Sequence, residues 1–197
     1  MAGTLKTDIV QTDTIRPTSV SGTVTLGASG ETINIPSGAT FSATAGTMSG
    51  QNYPAFEATL SASQSIPNTT ATKVQFNTEN YDTNGYYDNS TNYRFTPLVA
   101  GKYFVYSYVR FLSIVDGNQG IVYLYKNGSS ISFTSNGSSG GTNAVNFSTI
   151  ITQIIDLNGS TDYIEAFVYQ DSGSSKNVQG GSGGGFTTTF GAYRIGA

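Results

Sequence analysis

Polar and apolar residues alternate with period two in short runs along this chain, and no stretch holds the spacing of an amphipathic helix. From Tyr53 onward the alternation predicts strands at Ala55–Leu60, Lys73–Phe76, Tyr103–Leu112, Ile121–Lys126, Ile131–Phe133, Val145–Leu157, Tyr163–Tyr169 and Phe186–Ile195. Turn clusters separate them: Asp116-Gly117-Asn118, Asn127-Gly128, Asn136-Gly137 and Asn158-Gly159. Lys126-Asn127-Gly128-Ser129 is a short hairpin signal, because Asn-Gly accepts positive φ at both turn positions. Many short strands with Gly/Asn turns predict an all-β sandwich or barrel.

Residues 1–52 are built differently. Phe41 is their single aromatic, and the other 23 of the chain lie from Tyr53 on. Each buried Phe or Tyr takes about 150–250 Å² out of water, so a segment without them lacks a deep core of its own. Thr23–Leu26 and Thr32–Ile35 alternate around Gly27-Ala28-Ser29-Gly30 and read as two short strands, with Leu5, Ile9, Val10 and Ile15 thinly spaced upstream. Three copies wound round one axis would bury Val24, Leu26, Ile33 and Ile35; a flexible linker is the alternative, and 39–50 reads as linker. The expected division is a slender β arm over 1–52 and a globular head over 53–197.

In the head, aromatics fall on both sides of some strands. Along Tyr103–Val109, residues Phe104, Tyr106 and Tyr108 point one way, and Tyr103, Val105 and Val109 the other. A lone sandwich needs one apolar face per strand. A second aromatic face calls for a second partner, and a neighbouring subunit is the simplest; ordinary exposed tyrosines are the alternative.

Composition narrows the chemistry. The chain has no His and no Cys, which excludes a His-based triad, an imidazole metal ligand, a thiolate nucleophile and a disulfide. Charged residues are 11% and the net charge is −3, with nine scattered Lys and Arg, so a phosphate-binding surface for nucleic acid is not expected. No apolar run approaches the roughly 20 residues that span a bilayer, and the opening MAGTLKTDIV lacks an apolar signal-peptide centre, so membrane insertion is not expected and synthesis is expected in a cytoplasm.

Six motifs, in order, resemble the complement C1q-type globular head. Pro54–Leu60 (PAFEATL) is similar to its opening strand and Lys73–Asn77 to its second. Tyr93–Val105 (YRFTPLVAGKYFV) resembles the FTxPxxGxYxF stretch, and Leu124–Gly128 the Lys-Asn-Gly hairpin. Leu157–Ile164 is similar to the approach to the next strand, and Thr189–Tyr193 (TFGAY) to the closing one. The resemblance spans about 53–197 and implies a ten-stranded jelly roll, shared with the tumour necrosis factor family, that assembles as a homotrimer. It implies that first and last strands pair, that the segment 172–185 is a loop at the far end, and that aromatics fill the threefold interface. Phe56, Tyr103, Phe104, Tyr106, Tyr108, Phe190 and Tyr193 are the expected interface residues. The collagen stalk of complement heads is missing. Residues Met1–Gln11 and Thr25–Thr40 resemble openings of structural proteins of tailed bacteriophages. That likeness implies a virion location, with Leu5, Ile9, Val10 and Ile15 attaching the arm to capsid or tail proteins.

Candidate chemistry remains sparse. The carboxylate pairs Asp82/Asp88 and Asp162/Glu165 suit acid–base work only if they face each other in a cleft, and solvated turns are the commoner use. Asn80–Asn89 and Asp116–Asn118 are rich in oxygen donors, yet the spacing is not that of an EF-hand, and neither a metal nor another cofactor is expected. Tyr81, Asp82, Tyr86, Tyr87, Asp88 and Tyr93 combine rings with polar groups in one stretch and are the candidates for binding a host surface glycan; packing on a neighbouring subunit is the alternative. The expectation is a non-enzymatic surface protein of a virion, either capsid decoration or fibre-tip adhesin, with a bacterial surface or spore-coat protein as the alternative.

Overall fold

The computed structural model describes residues 37, 53–115, 118–137, 143–181 and 188–196. The chain divides between Thr47 and Met48, and every described strand belongs to the second unit. The strands expected at 23–26 and 32–35, and the attachment residues Leu5, Ile9, Val10 and Ile15, lie outside the described residues.

The described residues hold thirteen strands and no helix. They are β1 (Ala55–Thr59), β2 (Gln64–Ile66), β3 (Thr72–Lys73), β4 (Thr78–Asp82), β5 (Tyr87–Asp88), β6 (Arg94–Phe95) and β7 (Gly101–Ile114). Then come β8 (Gln119–Lys126), β9 (Ser129–Gly137), β10 (Val145–Leu157), β11 (Ile164–Gln170), β12 (Lys176–Val178) and β13 (Thr189–Gly196). Where the resemblance implies ten strands, five of these are pairings of two or three residues that interrupt longer connections. One of them, β12, lies inside the segment 172–185 that the resemblance makes a loop.

The first sheet has seven strands. β10 pairs with one edge of β7, and β13, β1 and β4 lie in turn on the other, while β12 and β2 continue beside the far end of β7. First and last strands pair as expected, from Ala55↔Tyr193 to Thr59↔Thr189. The second sheet has six strands, ordered β5-β6-β11-β8-β9, with β3 also on β11. The β8–β9 turn has φ of 52° at Asn127 and 77° at Gly128, the positive pair that the sequence predicts.

The core lies between the sheets and is aromatic at its centre. Phe56 stacks on Tyr87 at 4.6 Å and on Phe95 at 4.5 Å, and meets Phe190 edge-on at 5.1 Å. Two tyrosine hydroxyls at this layer are satisfied by backbone: Tyr87 donates to Phe76 O at 3.0 Å and Tyr103 to Val99 O at 2.7 Å. Burial pushes the Tyr103 hydroxyl up to about 12, against a lowering influence of Arg194. Lys73–Phe76 forms a ladder at Lys73 alone, although Val74 and Phe76 are wholly buried and Val74 N donates to Ala166 O at 3.0 Å. The apolar pattern there reports burial correctly but overstates pairing.

Candidate assembly face

In β7, Tyr103, Val105, Ser107, Val109 and Phe111 turn inward, and Phe104, Tyr106, Tyr108 and Arg110 turn outward. Register carries the outward set across the first sheet as three rows. One row runs Ile154, Phe104, Tyr193, Ala55; the next Thr152, Tyr106, Gly191, Glu57, Tyr81; the third Ile150, Tyr108, Thr189, Thr59, Thr78. Ile150 is 60% exposed, Ile154 57% and Tyr81 44%. Phe104 packs on Tyr193 at 5.4 Å and on Tyr106 at 6.3 Å. Apolar side chains gathered on an open sheet in this way mark a candidate interaction surface. Covering one such isoleucine would contribute about 1–2 kcal/mol.

The middle row is polar but satisfied. Gly191 leaves room for the Tyr106 ring to lie flat across β13: a Cβ there would collide with the ring and its hydroxyl. The ring thereby reaches β1, where its hydroxyl donates to Glu57 Oε2 at 2.5 Å, and Asn80 Nδ2 donates to Glu57 Oε1 at 2.6 Å. Burial, then the hydrogen bond and charge of Glu57, push the Tyr106 pKa well up. Glu57 is thus engaged on both oxygens, so the face can be covered without leaving a bare carboxylate. At one end of the face a shallow recess of about 560 Å³ is lined by Tyr53, Ala55, Tyr81, Thr83 and Tyr193.

Of the seven expected interface residues, Phe104, Tyr106, Tyr108 and Tyr193 share this face. Phe56, Tyr103 and Phe190 do not: each is wholly buried between the sheets, where it fills the subunit's own core and is closed to a neighbour. Ile150 and Ile154 join the face without having been expected there. Their signal is the doublets Ile150-Ile151 and Ile154-Ile155, since neighbours in a strand point to opposite faces.

The six glycan candidates do not converge. Tyr81 is on the outward face of β4, whereas Tyr87 is buried against Phe56 and Tyr86 packs against the core. Tyr93 lines a separate small recess beside Leu60 and Gln64. Asp82 accepts from the amides of Asn84, Gly85 and Tyr87. Asp88 accepts from the amides of Ser90, Thr91 and Asn92 and from the Asn92 side chain, and the backbone bonds, led by Thr91, hold its carboxyl well below the usual range. Both carboxylates are therefore spent on their own turns.

The second carboxylate pair is likewise divided. Asp162 binds Lys126 Nζ at 2.8 Å and accepts from Asn127 Nδ2 at 2.7 Å, and these two lower its pKa; Glu165 pairs with Lys73. Among the described residues no group of three Asp or Glu gathers to hold a metal ion.

No family profile matches the chain, and no curated protein matches it. Solved structures do. The globular domain of zebrafish complement 1qA protein is 15% identical, with a TM-score of 0.51 over 72% of this chain and 97% of that one. Eiger TNF from S. frugiperda is 9% identical, with a TM-score of 0.53 over 73% of this chain and 93% of that one. Murine APRIL is 13% identical, with a TM-score of 0.50 over 71% of this chain and 98% of that one. At such identity the likeness shows the fold, which is a C1q/TNF-like jelly roll.

Proposed function

We propose that this C1q/TNF-like head is the displayed part of a homotrimeric, non-enzymatic structural protein of a tailed-phage virion. The observation that carries the assembly is the outward face of the first sheet. Its isoleucines and rings form a patch, and its central carboxylate, Glu57, is engaged internally. Such a face favours closed symmetric association over exposure. The virion role rests on the likeness of residues 1–11 and 25–40 to openings of phage structural proteins. The arm attaches to capsid or tail proteins, and the head faces outward as capsid decoration or as a fibre-tip adhesin.

Light scattering on the purified chain is expected to give three times the 20.7 kDa of one copy. A stable single copy at micromolar concentration defeats the assembly. Cryo-electron microscopy of the native particle tests location: density for this head on the capsid surface assigns decoration, density at a fibre tip assigns adsorption, and its absence from the particle defeats the virion role.

A further inference from the structure

The outward face of the second sheet carries a narrower aromatic strip. Register aligns Lys73 of β3, Phe167 of β11, Tyr123 of β8 and Phe133 of β9 in one row across four strands. Tyr125 stacks on Phe167 at 4.1 Å and stands edge-on to Tyr123 at 6.2 Å; Phe133 packs on Tyr123 at 5.8 Å. Phe133 is 64% exposed on the edge strand, with Ile131 also exposed beside it. We propose that this strip binds a neutral carbohydrate chain.

Three observations choose the occupant. The first is charge. Lys73 is committed to Glu165 and to Asn92 O, and lies 5.6 Å from the Phe167 ring centre. Arg94 lies over Tyr163 at 4.4 Å. The cations bordering the strip are therefore engaged, and a sulfated or phosphorylated partner would have to break those contacts.

The second is area. Four rings already partly covered offer on the order of 400 Å², about half of what each side of a stable protein pair buries. That suits an oligosaccharide better than a second protein. The third is chemistry. An aromatic face attracts the polarised C–H groups of a pyranose, and the hydroxyls of Tyr123, Tyr125, Ser130 and Ser135 border the rings to receive the sugar's own. The strip is on the opposite layer from the assembly face. Under the displayed-trimer reading, on which its adhesive use rests, each trimer would present three strips and gain by avidity.

The test is binding of the full chain to an array holding neutral glycans (mannan, β-glucan and chitin oligomers) beside sialylated and sulfated ones. Selective retention by neutral glycans is expected, with Phe133→Ala weakening it tenfold or more, Phe133→Tyr restoring it, and the solution mass unchanged in both. No retention, retention led by acidic glycans, or equal retention by Phe133→Ala overturns the proposal. So does a fall in mass with Phe133→Ala, which would make the strip a subunit contact. Glycan retention by a single-copy Ile150→Lys/Ile154→Lys variant would leave the strip standing while removing the trimer.

Discussion

The outward faces of the two sheets carry a similar stock of rings on different supports. On the first, Phe104, Tyr106 and Tyr193 are flanked by exposed isoleucines on β10, and the central carboxylate is locked to Tyr106 and Asn80. On the second, Phe133, Tyr123, Tyr125 and Phe167 are flanked by the engaged cations Lys73 and Arg94 and by the hydroxyls of β9. Aliphatic breadth makes a surface that copies can cover; a thin strip with a polar border makes one that stays wet. Ring content alone would have treated the two alike.

The largest expected effect breaks the first face. Ile150→Lys with Ile154→Lys places two charges on the assembly patch, and light scattering should show a single copy with its circular dichroism retained. Unchanged mass would move the subunit contact elsewhere. Next, Lys73→Met leaves Glu165, whose side chain is 6% exposed, without its cation. A loss of about 3 kcal/mol is expected by denaturant titration, whereas a loss under half of that would show the second face leans little on its ion pair.

Gly191→Ala drives a methyl into the Tyr106 ring and should cost about 1–3 kcal/mol, with Tyr106→Phe in the same background recovering little because the ring, not the hydroxyl alone, is in the way. Alkaline pH probes the Tyr106–Glu57 contact of the first face. Tyr106 is raised in the folded state, so its contribution is complete below the unfolded value of about 10 and declines above it. Stability should fall as pH rises above about 10, and Glu57→Gln should soften that fall; equal alkaline limbs would deny the coupling. The smallest effect is on the second face: Phe133→Ser should change stability by no more than about 0.5 kcal/mol.

Much of the fold was legible because strand length and alternation report it directly. Val145–Leu157 matches β10 at both ends, and the Asn127-Gly128 hairpin forms as its residues dictate. The short pairings β2, β5, β6 and β12 were not legible, since two or three residues in a connection leave no period to read. The assembly face was half legible. Alternation fixes which residues of β7 share a side, but not which side is inward, and motif likeness alone placed Phe56, Tyr103 and Phe190 at an interface when they build the core. The loop rings failed for a related reason. Composition brought Tyr86, Tyr87 and Tyr93 together, but packing draws Tyr86 and Tyr87 to the core and leaves Tyr93 lining a separate recess.

β13 comes after every other described strand in sequence yet lies between β7 and β1. A nascent chain that has released its first twelve strands therefore still has a gap one strand wide in the middle of its first sheet, and Phe190 is missing from the core. Until that gap closes, the apolar rows are incomplete and no copy offers its neighbours a finished surface. Under the proposed assembly, the order in which the polymer emerges would hold back association of half-made subunits.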